Sequence, residues 1–445
     1  MVFTALTVAG VDGCGGAGVL ADLKTFSIFK VHGACVVTAL TAQNTKSVKK
    51  VLPVKPEFVE EQFQTILDDL KIDAVKTGIL PSKETVKIVA DFVDDYGLKL
   101  VVDPVFKSTT GKKFVDDEII KTYIKNLLPL TKIVTPNIFE ASILSGVKIK
   151  NMDDMVKAAE KILKFGVENV VVKGGHLKGK NVVDLFFNRK KSIFFTKPKL
   201  NGKIHGGGCF FSAALTACLA SGKNVSQAIE TVEKMVEEVF RFGLKIGKGL
   251  KVIHPLIPLY NEAEKYRVLE DVNLALNKFL KFKKVHEFIA EVGTQIAEAL
   301  PYPSTIYHVA GVEGRIRKIE GKKIVAGNVR FGVSTHMARL ILASNRLNPK
   351  IKAALNLRYD KKLLKALEKE KFTISSFDRR FEPKKIKMVE GKTLDWGFKQ
   401  AVKKIGKVPD VIYDLGEPGK EPMIRILGEN AVKLVEKVGK AVKNF

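Results

Sequence analysis

The sequence has few cysteines, a shortage of acidic residues and no long apolar run. Its 445 residues include four cysteines, Cys14, Cys35, Cys209 and Cys218, which form no CxxC pair. At this length four cysteines cannot form a disulfide scaffold, and a reducing compartment is indicated. No stretch reaches the roughly 18 apolar residues of a membrane span, and the N-terminus lacks the basic start of a signal peptide. We therefore expect a cytoplasmic protein without a membrane partner.

The shortage of acids leaves a strong positive charge. There are 48 acidic residues against 75 lysines and arginines, a net charge of +27. Such a charge attracts phosphorylated metabolites as well as nucleic acids. Because the basic residues are scattered and no nucleic-acid-binding motif accompanies them, we expect small-molecule substrates and no nucleic acid. We also expect a homo-oligomer. The lysine excess, with few cysteines and methionines, is typical of a thermophile.

Over the first 260 residues, short apolar segments alternate with helical patterns. Helices are predicted at Pro56–Asp69, Lys83–Tyr96 and Met152–Phe165. The predicted strands are Ala5–Ala9, Ala34–Thr38, Ala74–Thr77, Leu98–Val102, Ile133–Thr135 and Asn169–Val172. This alternation predicts an α/β fold with a mainly parallel sheet. Ligands of such sheets bind at the carboxyl ends of the strands.

A composition change near residue 258 predicts two domains. Residues 255–270 contain two prolines and then a short charged helical pattern, which is typical of a domain boundary. We predict a first domain at 1–258, a linker at 259–270 and a second domain at 271–445. The second domain is predicted to begin with helices at Val272–Phe282 and Val285–Leu300.

A glycine-rich turn before a helix is the most informative local pattern. Gly206, Gly207 and Gly208 precede Cys209 and a run of small residues. Backbone N–H groups of such a turn, together with a helix N-terminus, can hold a phosphate group. The same pattern also occurs in a tight turn before a buried helix. If Cys209 lies at this helix N-terminus, its pKa is expected to be lowered, which favours a thiolate; a buried apolar thiol is the alternative.

Polar residues follow several predicted strands. Asp103 comes after one strand, Asn137 and Glu140 after another, and Lys173 with two glycines after a third. The carboxylates suit Mg²⁺, and the lysine suits a phosphate. Taken singly, each carboxylate could instead be a surface group or a helix cap. Their position at corresponding strand ends indicates one shared site.

These segments resemble a known family. GVDGCGGAGVLADLKTF, TALTAQNT, AVKTGIL, TPNIFEA, VVKGGH and HGGGCFFSAAL, in this order, are similar to hydroxymethylpyrimidine/phosphomethylpyrimidine kinases of the ribokinase-like superfamily. The resemblance implies a three-layer α/β/α fold, ATP and Mg²⁺ as cofactors, and Cys209 in the place of the catalytic base. The usual HGTGC motif reads HGGGC here, so Gly207 replaces a threonine.

The resemblance also implies roles for individual residues. It implies that Cys209 is catalytic, and the strand-end positions add Lys173 as a catalytic residue and Asp103 and Glu140 as metal ligands. Phosphate binding is assigned to Gly206, Gly207, Gly208 and Asn137, and substrate binding to Gln43, Gly10, Ala17 and Asp22. A carboxamide such as that of Gln43 can pair with an aminopyrimidine edge, which offers both a donor and an acceptor.

The second half resembles the archaeal-type thiamine-phosphate synthase domain. The segments that carry this resemblance are VEGRI, RFGVSTHMAR, SFDRR and PDVIYDLGEPGKEPMIRILG. It implies a second three-layer α/β/α domain, class II aldolase-like, with a mixed sheet, and catalytic roles for Arg315 and His336. Such domains condense the pyrimidine diphosphate with hydroxyethylthiazole phosphate to thiamine phosphate and pyrophosphate. Two alternatives stay open, a pyridoxal-type kinase and a second domain that senses thiamine phosphate without chemistry.

Overall fold

In a computed structural model of the protein, the chain forms two compact units, Met1–Pro258 and Leu259–Phe445. The structure describes residues 2–108, 111–200, 202–320, 323–387 and 392–443. None of the helices in these ranges combines the length and the apolar character that a membrane span requires. Each unit is built around its own sheet.

The first unit contains a nine-stranded sheet with the order β3-β2-β1-β4-β5-β6-β7-β8-β9. β1, β2, β4, β5, β6 and β7 run parallel, whereas β3, β8 and β9 pair antiparallel to their neighbours. The predicted mainly parallel sheet is therefore confirmed. The strands are β1 (Phe3–Asp12), β2 (Val31–Gln43), β3 (Val48–Pro53), β4 (Ala74–Thr77), β5 (Leu100–Val102), β6 (Thr131–Val134), β7 (Asn169–Val172), β8 (Asn181–Asn188) and β9 (Ser192–Pro198), with a separate pair β10 (Ile204–His205) and β11 (Lys251–Val252).

Helices cover both faces of this sheet. They are α1 (Gly18–Ile28), α2 (Pro56–Asp69), α3 (Lys83–Asp95), α4 (Asp117–Thr122), α5 (Ile138–Ser145), α6 (Met152–Leu163), α7 (Gly207–Ala220) and α8 (Val225–Arg241). Alternate strand residues point to opposite faces: Leu100 and Val102 join the core under α2 to α6, whereas Val101 joins the core under α1, α7 and α8. The result is the three-layer α/β/α architecture expected for this unit.

Side-chain caps fix where several of these helices begin. The Ser82 side chain accepts a hydrogen bond from the Thr85 N–H at the start of α3, and Asn151 does the same for α6. Such caps satisfy N–H groups that have no partner inside the helix. The Ser82 cap also holds the loop from the carboxyl end of β4 in a defined position.

The second unit contains a seven-stranded mixed sheet with the order β16-β13-β12-β17-β20-β19-β18. Only β18 and β19 pair in parallel among its neighbouring strands in the described part of the chain. The strands are β12 (Ile296–Ala299), β13 (Val309–Val312), β14 (Arg317–Ile319), β15 (Lys323–Val325), β16 (Val329–Phe331), β17 (Ala353–Arg358), β18 (Ile374–Ser376), β19 (Val411–Asp414) and β20 (Met423–Gly428); β14 and β15 form a separate hairpin.

Helices again cover both faces. They are α9 (Ile257–Leu280), α10 (Val285–Phe288), α11 (Thr335–Leu347), α12 (Lys361–Lys369), α13 (Lys384–Lys387), α14 (Lys392–Ile405) and α15 (Ala431–Val442). α9, α10, α12 and α15 pack against one face and α11 and α14 against the other. The predicted second α/β/α domain with a mixed sheet is therefore confirmed.

Two predictions around the boundary are wrong. The segment 259–270 is not a linker, because it lies inside the 24-residue helix α9, which also contains most of the predicted helix Val272–Phe282. The predicted helix Val285–Leu300 ends after one turn at Phe288, and the strand β12 follows. Gly293, which lies between them, has a φ of +93°, a conformation that ends regular helical structure.

Candidate active sites

The glycine-rich turn joins β10 to the N-terminus of α7. Gly206 has a φ of +91°, and a Cβ there would overlap the carbonyl oxygen of Gly16. Only glycine therefore allows the loop after β1 to lie against this turn. The first turn of α7 has no side-chain cap, so its N–H groups are available to an anion.

Cys209 lies in the first turn of α7, and its sulfur accepts a hydrogen bond of 3.5 Å from the Gly18 N–H. The expectation of a lowered pKa is wrong for this structure. Burial raises the pKa of Cys209 to about 12, Asp22 and Asp103 add to the rise, and Lys76 and the Gly18 N–H act against it. The residue is therefore a thiol at neutral pH in the unliganded chain, because burial outweighs the helix N-terminus.

The raised pKa predicts how Cys209 reacts with iodoacetamide. Only the thiolate is alkylated, so the rate at Cys209 should still be rising at about pH 10, well past the pH at which an ordinary thiol levels off. Peptide-resolved mass spectrometry of the native chain measures this rate. The same cysteine in the denatured chain serves as the control, and a plateau near neutral pH in the native chain would contradict the assignment.

Asp103, Glu140 and Lys173 come together at the ends of neighbouring strands. Lys173 Nζ lies 3.0 Å from Asp103 Oδ1, and a Cβ at Gly208 would lie 3.3 Å from Lys173 Nζ. Asp103 and Lys173 therefore border the N-terminus of α7, as their strand-end positions predict. Burial first, and then the charge of Asp103, raises the pKa of Glu140 to about 8, although Lys173 opposes the rise.

Asn137 and Glu140 are also the cap of α5. The Asn137 Oδ1 accepts hydrogen bonds from the N–H groups of Phe139 and Glu140, and the Glu140 Oε2 accepts one of 2.8 Å from the Asn137 N–H. This is the reciprocal capping box, so Glu140 does form a helix cap, which was the alternative to a metal ligand. The Asn137 side-chain oxygen is thus in use, and its NH₂ group is the part left for a phosphate.

Gln43 lies beside the glycine-rich turn. Its Nε2 is 2.9 Å from His205 Nε2, which in turn is 2.8 Å from Asp12 Oδ2. Asp12 also accepts the N–H groups of Gly16 and Ala17. Burial opposes its charge, yet hydrogen bonds from His205 and Cys14 hold the pKa of Asp12 below its usual value.

Asp12 and His205 were not predicted as site residues from the sequence. Both residues lie in glycine-rich segments, VDGCGG and IHGGGC. A charged or titratable side chain within a glycine-rich loop could have indicated that they belong to the site. Together they fasten the loop after β1 to β10 and place Gln43 next to the turn.

Asp22 lies in α1, and its side chain has no exposed surface in this structure. Its Oδ2 accepts hydrogen bonds from Lys76 Nζ at 2.8 Å and Thr7 Oγ1 at 2.7 Å, whereas its Oδ1 has no hydrogen-bond partner among the described residues. Its role in substrate binding stays a prediction. Gly10 packs against the Ala39 carbonyl oxygen, and Ala17 contributes its backbone N–H to Asp12.

Gly207 packs against the ring of Phe240 in α8. A Cβ at Gly207 would overlap the Phe240 ring, so the threonine expected at this place in the motif does not fit here. Gly207→Thr should lower the free energy of unfolding by about 1–3 kcal/mol, the usual cost of overpacking. Denaturant unfolding measures the change, and the added variant Phe240→Ala should recover part of it. An unfolding curve of Gly207→Thr equal to that of the parent would contradict this packing.

In the second unit, Arg315 follows β13 in a strained conformation. Its φ is +67°, which is unfavourable for any residue with a Cβ. Its Nη1 donates a hydrogen bond of 2.6 Å to the Val292 carbonyl oxygen. The Glu421 carboxylate accepts the N–H groups of Glu291 and Val292, so the loop that holds Arg315 is itself fastened.

His336 is the second residue of α11 and is exposed. Ser334, just before this helix, packs on Gly311 of β13. The N-terminus of α11 and Arg315 therefore both lie beside β13. Their roles in catalysis stay predictions.

Comparisons with known proteins cover both units. The phosphomethylpyrimidine kinase family matches residues 12–254, and the family described as thiamine-phosphate synthase ThiN matches residues 271–440. The ADP complex of a pyridoxal kinase from Bacillus subtilis superposes with a TM-score of 0.55 at 33% identity, covering 58% of this chain and 99% of that one. The fold, the glycine-rich turn with its neighbouring acids and the family matches thus define a kinase joined to a synthase domain.

Two curated relatives make the assignment more specific. A hydroxymethylpyrimidine/phosphomethylpyrimidine kinase from Bacillus subtilis is 41% identical over 251 residues, 56% of this chain and 93% of its own length. The bifunctional thiamine biosynthesis protein ThiDN from Methanocaldococcus jannaschii is 35% identical over 434 residues, 97% of each chain. The chain belongs to this family of bifunctional thiamine biosynthesis enzymes.

Proposed function

We propose that the first unit phosphorylates hydroxymethylpyrimidine and then its monophosphate with ATP. The second unit condenses the resulting diphosphate with hydroxyethylthiazole phosphate to thiamine phosphate and pyrophosphate. The observation that carries the kinase proposal is the contact of Gln43 with His205, directly before Gly206. It places a carboxamide suited to a pyrimidine edge next to a turn suited to a phosphate.

In the first unit, the chain's residues position the reactants and take up the proton. The N–H groups of Gly206 to Gly208 face the transferred phosphoryl group, and Lys173 balances its charge. The hydroxymethyl oxygen attacks the γ-phosphorus, ADP leaves, and the hydroxyl proton passes to the Cys209 thiolate. The Gly18 N–H and Lys76 favour the thiolate, whereas burial and the charges of Asp22 and Asp103 oppose it, so neutralisation of Asp103 favours the thiolate that accepts this proton.

The donor set fits a magnesium ion. Asp103 and Glu140 are buried hard oxygen donors, and the charge of Asp103 adds to burial in raising the pKa of Glu140, which shows an acidic excess at this place. These two side chains would hold the ion, which supplies charge neutralisation for the phosphates of ATP. Lys173 keeps its proton there, since Asp103 and Glu140 raise its pKa although burial opposes this.

In the second unit, Arg315 stabilises the departing pyrophosphate and His336 donates a hydrogen bond or a proton to it. Departure of pyrophosphate leaves a cation that the aminopyrimidine ring stabilises, so the protein mainly holds the leaving group and orients the thiazole nitrogen. The fastened loop at Val292 gives Arg315 a fixed direction. We expect the enzyme to work in the cytoplasm as a homo-oligomer.

Product identification tests both halves in one experiment. The full chain is incubated with hydroxymethylpyrimidine, hydroxyethylthiazole phosphate, ATP and Mg²⁺, and thiamine phosphate is the expected product. A parallel assay compares pyridoxal with hydroxymethylpyrimidine, and a preference for pyridoxal would overturn the kinase specificity. Supply of the ready-made pyrimidine diphosphate isolates the second unit, and binding without turnover would show a sensor instead.

A further inference from the structure

Three motif residues of the second unit that have no assigned role form one buried cluster. Arg379 Nε lies 2.6 Å from Asp414 Oδ1, and Arg425 Nη1 lies 2.7 Å from Asp414 Oδ2. Arg379 is 7% exposed, Arg425 4% and Asp414 not at all. We call Arg379 and Arg425 the arginine pair. They come from the SFDRR and MIR segments, and Asp414 comes from VIYD, so distant parts of the sequence converge here.

The cluster carries an excess of positive charge. One carboxylate faces two guanidinium groups, and Glu382, the nearest buried acid along the chain, forms no ion pair with either arginine in the described ranges. The Phe377 ring centre lies 5.8 Å from the Arg379 guanidinium and 5.9 Å from that of Arg425. This cation–π contact compensates only part of the positive charge. Because an uncompensated buried charge is costly, the cluster is suited to an anion.

The sheet register places this cluster at the same edge as Arg315. β18 and β19 both end there, and Asp414 pairs with Met423, the first residue of β20. β17 ends at that edge, β12 begins there and β13 ends there. Arg315 follows β13 by three residues. The arginine pair and Arg315 therefore lie along one edge of one sheet.

We propose that the arginine pair, held in place by Asp414, binds a phosphate group of a synthase substrate. Guanidinium forks match phosphate oxygens in geometry and charge. The Asp414 carboxylate fixes the direction of both forks. The proposal rests on the synthase function proposed above, whose two substrates each carry phosphate: a diphosphate ester and a phosphate monoester. Arg315 is proposed to bind the pyrophosphate part of the diphosphate ester. A second phosphate site at the same edge of the sheet would allow the two phosphorylated substrates to be held at different places.

The variants Arg379→Gln and Arg425→Gln test the proposal in the full chain, with Arg380→Gln as the matched control. Arg380 is the next residue after Arg379, but it is exposed and paired with Asp378. We expect an increase of at least about tenfold in the KM for one of the two phosphorylated substrates, with the other KM little changed. The substrate that responds identifies the bound phosphate, and the control should behave like the parent.

Further measurements separate binding from folding. Arg379→Lys keeps the charge without the fork and should raise the same KM by less than Arg379→Gln does. Kinase turnover of the same chain should stay unchanged. The proposal is overturned if Arg379→Gln keeps the unfolding transition and both KM values of the parent. It is also overturned if both variants lower kcat for the two substrates together with the unfolding temperature, because the cluster is then structural.

Failure of the synthase function itself would look different. In that case the parent chain makes no thiamine phosphate from the two precursors, although its kinase works. Calorimetric titration with inorganic pyrophosphate and inorganic phosphate then still compares the parent with Arg379→Gln, and any difference reports the second unit, because the first unit is identical in both. Equal binding by the two proteins would overturn the anion site.

Discussion

Replacement of Cys209 by alanine is expected to lower the turnover number of the kinase at least about tenfold, within the usual contribution of a positioned acid–base group. Its sulfur lies in the first turn of α7, beside the glycines that we propose face the transferred phosphoryl group, and no other cysteine of the described chain lies there. Its replacement removes the proposed acceptor for the proton of the hydroxymethyl group. Steady-state phosphorylation of hydroxymethylpyrimidine at saturating ATP measures the effect.

Cys218→Ala is the control for this prediction. Cys218 lies on the same helix but is fully buried in the core under α1, α7 and α8, so its loss removes a small apolar group and no proton acceptor. We expect its turnover number to stay close to that of the parent. A Cys209→Ala or Cys209→Ser enzyme with unimpaired turnover would remove Cys209 from the mechanism.

The approach of Asp103 to Lys173 could be predicted from the sequence because it depends on topology alone. Parallel neighbours end at one edge, so Asp103 after β5 and Lys173 after β7 had to approach each other, and they form an ion pair. The antiparallel strands β8 and β9 were not predicted. They contain apolar runs with one charged residue each, Asp184 and Lys197, so the apolar signal by which strands are recognised was present and was not used.

Pairings between residues far apart in the chain could not be predicted from the sequence. Lys76 and Asp22 are 54 positions apart and form a fully buried ion pair, and nothing in either segment alone indicates it. The error on the pKa of Cys209 has the same origin. The helix N-terminus is visible in the sequence, whereas the depth of burial and the nearby charges of Asp22 and Asp103 depend on the packed structure.

The breakdown of the predicted helix Val285–Leu300 was in principle visible. Gly293 and Thr294 interrupt the apolar pattern, and the structure uses Gly293 for a tight approach to Arg315, whose Cβ lies 3.0 Å from where a Cβ of Gly293 would stand. A glycine inside a helical pattern was given too little weight against the periodicity. The same glycine now explains how the loop that holds Arg315 can pass so close to it.

Arg315→Gly is expected to reduce synthase turnover about 100-fold, the range found when a donor to developing negative charge is removed. The glycine variant is more informative than alanine at this position because the φ of Arg315 is +67°. Glycine adopts this conformation without cost, whereas alanine keeps a strain of about 1 kcal/mol. Arg315→Gly should therefore unfold at the same temperature as the parent or a higher one, while its activity falls.

Loss of activity without loss of stability separates catalysis from folding. The assay supplies the pyrimidine diphosphate and hydroxyethylthiazole phosphate directly, so that the first unit does not limit the rate. Arg317→Gly, which changes an exposed arginine in the hairpin strand β14, should retain activity and serves as the control. Full synthase activity in Arg315→Gly would show that the Val292 contact, and not pyrophosphate, accounts for the position of this side chain.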